Sequence, residues 1–175
     1  MQASVFIGTS VDGFIARLDD KLDFLPADGG EPHGYMEFFA GIDTILIGRR
    51  TFEIVLAFPE WPYGDKRVVV LSSRPLDFST LRGANIEQMS GSPAEIVAKL
   101  TATGAQHAYV DGGVTIQQFL CAGLIQRLTI TRVPVLIGQG ISLFSTLPHD
   151  IRLRHIATQS YPSGLVKTQY EVLNG

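Results

Sequence analysis

Apolar residues in this chain fall into short runs, each closed by glycine, serine or aspartate. Ala3 to Gly8 predicts a buried first strand, and Val11 to Ala16 a turn and return. Residues 17–34 are rich in Asp, Gly and Pro and predict a loop. Tyr35 to Ala40 predicts a short helix stopped by Gly41. Asp43 to Ile47 predicts the next strand, and Thr51 to Ala57 a helix with Thr51 as N-cap and Phe52, Val55 and Leu56 at helical spacing. Phe58 to Asp65 is a loop with two prolines and Trp61. Arg67 to Leu71 is rich in β-branched residues and predicts a strand.

Farther along, Ala84 to Gln88 predicts a short strand. Ser92-Pro93-Ala94-Glu95 is a capping box with proline at the first helical position, and its helix should stop at Gly104. His107 to Val110 predicts a strand. Thr115 to Ala122 predicts a helix with Ile116, Phe119 and Leu120 on one face, and Arg127 to Val133 and Leu165 to Val172 predict the last strands. Strands alternate with helices, then dominate the C-terminal end. That order predicts an α/β fold, a three-layer αβα sandwich around a mixed, mostly parallel sheet with an antiparallel C-terminal edge. No repeat or linker divides residues 1–175, so a single domain is expected.

Composition narrows the class. Apolar residues make up 45% and charged residues 18%, which suits a globular protein with a packed core. A net charge of -3 without a basic stripe argues against a nucleic-acid partner. Cys121 is the only cysteine, so an intrachain disulfide is excluded; between Leu120 and Ala122 it is expected to be a small core residue. The histidines at 33, 107, 149 and 155 make no metal or triad pattern, and no metal is expected. No apolar stretch is long enough to span a membrane, and no signal peptide precedes the first strand, so a cytoplasmic protein is expected.

Three turns carry the candidate chemistry, each where an apolar run ends. They are Gly48-Arg49-Arg50-Thr51, Ser72-Ser73-Arg74 and Asp111-Gly112-Gly113-Val114-Thr115. Each offers backbone N–H groups, hydroxyls or guanidinium groups suited to phosphate, and glycine lets a ligand approach the backbone. Three together predict an extended, multiply phosphorylated ligand such as NADPH. Ser72, Ser73 and Arg74 are the right donors for a 2′-phosphate. Gly138-Gln139-Gly140 is not a dinucleotide fingerprint, because Leu143 stands where the third glycine belongs.

In order along the chain, these motifs resemble the dihydrofolate reductase-like superfamily, and within it the RibD C-terminal branch. The residues carrying the resemblance are Ser10 to Ala16, Asp43 to Phe52, Val70 to Ser73, Val110 to Gly113 and Leu128 to Phe144. The resemblance implies an NADPH-dependent reductase with the cofactor at the strand ends. It assigns Gly48, Arg49, Arg50 and Thr51, with Gly112, Gly113, Val114 and Thr115, to the diphosphate. Leu71, Ser72, Ser73 and Arg74 match the adenosine side, and Ile15 and Ala16 the nicotinamide side. Tyr35, Phe38 and Thr131 match the substrate pocket. Relatives imply a homodimer.

Folate-reducing members carry an acid on the helix before the second main strand. The matching place here falls near Pro32 and His33; Asp28 lies upstream of it and Glu37 out of register. The implied reaction is therefore hydride transfer to a C=N or C=O carbon of a small heterocycle, like the riboflavin-biosynthetic 5-amino-6-(5-phosphoribosylamino)uracil reductase. Dihydrofolate reduction and a non-catalytic NADPH-binding module are the alternatives. Asp12, His33 and Tyr35 are the candidate proton donors, while Asp12 also suits a structural role before Gly13.

Overall fold

The computed structural model of the chain describes residues 1–26, 31–81 and 83–173; Asp28 lies outside them. The elements are β1 (Gln2–Ser10), β2 (Phe14–Ala16), α1 (Tyr35–Ala40), β3 (Thr44–Gly48), α2 (Arg49–Leu56), β4 (Arg67–Leu71), β5 (Ile86–Met89), α3 (Pro93–Ala102), β6 (His107–Asp111), α4 (Gly113–Cys121), β7 (Arg127–Val133), β8 (Ile141–Ser142), β9 (Arg152–Ser160) and β10 (Val166–Leu173). An eight-stranded sheet runs β5-β4-β3-β6-β1-β7-β10-β9. The strands from β5 to β7 are parallel to their neighbours, and β10 and β9 close the edge antiparallel.

Strand periodicity sorts the core onto two faces. Ala3, Val5, Leu46, Val69, Ala108 and Val110 point to one side, where Ile96 and Leu100 of α3 and Ile116, Phe119 and Leu120 of α4 cover them. Phe6, Ile45, Ile47, Val68, Val70 and Tyr109 point to the other, beside Phe52 and Val55 of α2 and the aromatic side chains of α1. The result is the expected αβα arrangement. After the turn at Gly13 the chain returns beside β1, with Phe14 N–H donating to Ser10 Oγ at 3.0 Å, but β2 takes its ladder partner from β8 as a separate ribbon.

Four local expectations are corrected. The helix assigned to Thr51 begins two residues earlier, with Gly48 as N-cap and no side-chain cap. A Cβ built on Gly112 would lie 2.3 Å from Thr51 Oγ1, so the threonine faces a neighbouring turn instead of capping its own helix. The helix assigned to Thr115 begins at Gly113. Cys121 is exposed, because one residue past Leu120 turns it about 100° off the buried stripe. The predicted Ala84–Gln88 strand starts at Ile86, and β9 was not expected at all. The α3 capping box forms as expected, with the Ser92 hydroxyl accepting from Glu95 N–H and the Glu95 carboxylate accepting from Ser92 N–H.

Candidate functional site

The parallel strands β3, β4 and β6 end together at Gly48, Leu71 and Asp111. All three residues line one cavity of about 570 Å³. This is where a parallel sheet flanked by helices ordinarily presents a ligand site. Its walls are largely apolar: Phe6, Ile7, Leu22, Leu25, Ile54 and Val55 contribute. Polar groups gather at two helix starts.

Those starts are packed against each other. A Cβ on Gly48 would lie 2.9 Å from Thr115 Oγ1, just as one on Gly112 would strike Thr51. Gly112 also has φ +91°, a conformation that side chains rarely adopt. Neither α2 nor α4 has a side-chain cap. The N–H groups of their first turns therefore remain available to a ligand, with both helix dipoles adding positive potential. Arg49 and Arg50 stand on the same rim. Arg49 pairs with Glu53 at 2.7 Å and Arg50 with Asp20 at 2.6 Å, both pairs partly exposed.

The structure brings most of the expected site residues together. Ile15, Ala16, Tyr35, Gly48, Arg49, Arg50, Thr51, Leu71, Gly112, Gly113, Val114 and Thr115 all line the cavity. Gly113 lets Ile15 approach, since its Cβ would lie 3.0 Å from Ile15 Cδ1. Ser72, Ser73 and Arg74 follow Leu71 but do not line the cavity. They form a tight turn in which the Ser72 hydroxyl donates to Arg74 O at 2.7 Å and Gln88 Nε2 donates to both Ser72 O and Arg74 O.

Phe38 faces a second cavity beyond Phe6. Thr131 is buried beside Gly8, and its hydroxyl has no hydrogen-bond partner among the described residues. Leu25 occupies the space above Gly8, 3.0 Å from where a Cβ would be. Trp61 packs half-buried and edge-on against Tyr63, with ring centroids 5.1 Å apart.

The candidate proton donors separate clearly. Asp12 accepts backbone N–H groups from Ile137 and Gly138, at 3.3 and 2.8 Å, and so pins that turn. Hydrogen bonding by Ser10, then by these amides, holds its carboxyl below the ordinary range. His33 Nδ1 lies 3.1 Å from Glu31 O, and the residue does not line the cavity. Tyr35 does line it, and burial pushes its phenol up to about 12, so it stays a neutral donor.

Asp111 is a candidate acid that sequence reasoning missed. It lines the cavity, and burial pushes its carboxyl up to about 6 against the pull of the Gly112 N–H, 2.7 Å from Oδ1. Tyr63 and Tyr109 line the same cavity and are buried, which pushes both phenols upward. The Tyr109 hydroxyl donates to Phe6 O at 2.9 Å. The available sequence signal was an acid ending an apolar strand immediately before Gly-Gly, with Tyr109 two residues earlier on the same strand face. Among the described residues no cluster of His, Cys, Asp or Glu could hold a metal, and no helix is long and apolar enough to cross a membrane.

Residues 4–167 match the RibD C-terminal domain family, and the chain belongs to it. It is 29% identical over 160 residues to the uncharacterized protein YwjB of Bacillus subtilis (strain 168), covering 90% of each chain. A crystal structure from Shewanella sp. PV-4, provisionally named a riboflavin biosynthesis protein, is 35% identical with a TM-score of 0.91, covering 99% of this chain and 100% of that one. The dihydrofolate reductase of Enterococcus faecalis complexed with NADP(H) shares the fold at 17% identity, with a TM-score of 0.68 over 99% of this chain and 97% of that one.

Proposed function

We propose that this member of the RibD C-terminal domain family is an NADPH-dependent reductase. Its reaction is hydride transfer to a C=N or C=O carbon of a small heterocycle, as in a 5-amino-6-(5-phosphoribosylamino)uracil reductase. The observation that carries this reading is the meeting of two uncapped helix starts at one apolar cavity that also holds Asp111.

The residues present fit the cofactor. The first-turn N–H groups of α2 and α4, with Thr51 and the two arginines, match the donors a diphosphate needs. Gly112 has no side chain, and a Cβ there would strike Thr51 Oγ1, so the glycine lets the two helix starts pack together at the cavity. Ile15 and Ala16 supply the apolar wall for the nicotinamide. Ser73 and Arg74 are exposed just past Leu71 and suit the 2′-phosphate. NADPH supplies a hydride when bound.

This chain's own contribution is positioning, exclusion of water and proton supply. With a carboxyl near 6, Asp111 is protonated in part close to neutrality and is suited to hydrogen-bond or protonate a heterocycle nitrogen. Tyr35 adds a neutral hydroxyl. Because the protonated acid is the active form, turnover should fall as pH rises through about 6. In Glu37, α1 carries a carboxylate that lines the second cavity and not this one. A folate-type acid on that helix is therefore not in place.

Calorimetric titration with NADPH and, in parallel, NADH tests the cofactor reading. Micromolar NADPH binding with much weaker NADH binding is expected. Absence of binding by either nucleotide would sink it.

A further inference from the structure

Beyond Phe6 lies a second cavity of about 390 Å³, lined from β1, β6, β7 and β10 together with α1. Three of its residues sit at or near strand starts: Ser4, His107 and Arg127. Its apolar wall is Phe6 and Phe38, whose rings lie 5.1 Å apart. Ser4, Thr129 and Gln169 form a neutral polar floor. The Ser4 hydroxyl and His107 Nε2 are 2.8 Å apart. Burial holds the His107 imidazole below its ordinary range, so it is uncharged at neutral pH, despite the Gly41 carbonyl and Asp43 nearby.

Two cations face this cavity. Arg127 makes no ion pair among the described residues. Its neighbour across the strand pair is Glu171, already engaged by Arg154. Lys167 donates to His33 O at 2.8 Å and keeps its other protons free for a ligand. Glu37 is the one carboxylate among the lining residues. The charges therefore sum to one positive, from Arg127 and Lys167 against Glu37.

We propose that this cavity is a binding site for a small planar monocarboxylate, its carboxylate held by Arg127 and Lys167 and its ring laid against Phe6 and Phe38. A planar guanidinium matches a carboxylate with two parallel hydrogen bonds. A single excess positive charge suits a monoanion better than a phosphate dianion. The volume is near the lower end of the roughly 300–1,000 Å³ typical of ligand pockets, enough for a one-ring acid and too small for a dinucleotide. This assignment does not rest on the reductase reading.

Benzoate, nicotinate and the uncharged isostere benzamide are the probes, titrated into the intact protein while backbone amide shifts are followed by NMR. The two acids should saturate shifts at Ser4, His107, Arg127 and Gln169, and benzamide should not. Arg127→Ala should weaken the acids by roughly tenfold or more, the loss of one charge-assisted contact. Arg127→Lys, which keeps the charge but loses the fork, should fall between. Arg127→Ala should leave the cofactor titration unchanged, which separates this site from the strand-end cavity. Shifts confined to the strand-end cavity, equal binding of benzamide, no saturation by either acid, or indifference to Arg127→Ala would each overturn the proposal.

Discussion

Helices α3 and α4 both follow a parallel strand, yet their first turns are built in opposite ways. At α3 the Ser92 hydroxyl and Glu95 carboxylate satisfy the N-terminal amides reciprocally, and Pro93 removes one donor. At α4, and likewise at α2, a glycine occupies the cap and no side chain closes the turn. A helix that caps itself has few amides left for a ligand. One left open over an apolar cavity keeps its donors and its dipole for an anion. The carboxylates diverge as well. Hydrogen bonds from Ser92 hold the Glu95 carboxyl below its ordinary range, whereas burial lifts Asp111 to about 6. The contrast sets the α4 end apart as the candidate site, while the α3 end closes on itself.

The largest effect should come from closing the open turn. Gly112→Ala places a Cβ 2.3 Å from Thr51 Oγ1 at φ +91°. Backbone strain costs roughly 1–3 kcal/mol and overpacking about as much again. The urea midpoint should drop accordingly, and NADPH binding should be lost in protein that remains folded. A variant with parental midpoint and affinity would show that the turn has room to spare.

Next comes the charge on the open rim. Removing Arg49 and Arg50 together should weaken NADPH by roughly 1.5–3 kcal/mol per charge-assisted contact. Stability should change by less than about 1 kcal/mol per exposed pair lost. Calorimetry and chemical denaturation on the same sample read both quantities. An unchanged dissociation constant would remove the arginines from the site.

Asp111→Asn sharpens the comparison through pH. The folded carboxyl is raised, so the folded state binds the proton more tightly than the unfolded chain. Stability contributed by this group is therefore greatest below about 4 and declines as pH rises to about 6. A shift of roughly two units sets an upper bound of about 3 kcal/mol on that decline. The Asn variant should gain stability at pH 8, gain nothing at pH 4, and lose the fall in turnover as pH rises through about 6. Equal gains at both pH values would mean that burial of charge is not the cause.

Much of this contrast was readable in the sequence, because its determinants are local. The α3 box is four adjacent residues, and Val68 to Leu71 declares a buried strand by composition alone. The glycine turns, too, were visible where apolar runs stop. What escaped depends on residues far apart. The raised carboxyl of Asp111 depends on its setting in a cavity that residues distant in sequence, such as Phe6, Tyr35 and Tyr63, also line. Strand β9 is exposed along its whole length, so no alternation of apolar and polar residues announces it. Thr51 has the right chemistry for a cap, and only the packing of α2 against the α4 turn sends its hydroxyl elsewhere.

The smallest effect is the control at the closed end. Ser92→Ala removes the hydroxyl that accepts from Glu95 N–H and leaves an amide of the first turn to water. Loss of such a cap costs about 1 kcal/mol, which thermal or urea unfolding resolves. The α3 start belongs to no cavity shared with the α2 and α4 turns. NADPH affinity should therefore stay at its parental value. This dissociation of stability from binding is what the two kinds of helix start require, since one spends its donors within the chain and the other holds them for a ligand. A Ser92→Ala protein that loses cofactor affinity along with stability would show that the two ends are coupled, and the division between structural and ligand-facing helix starts would fail.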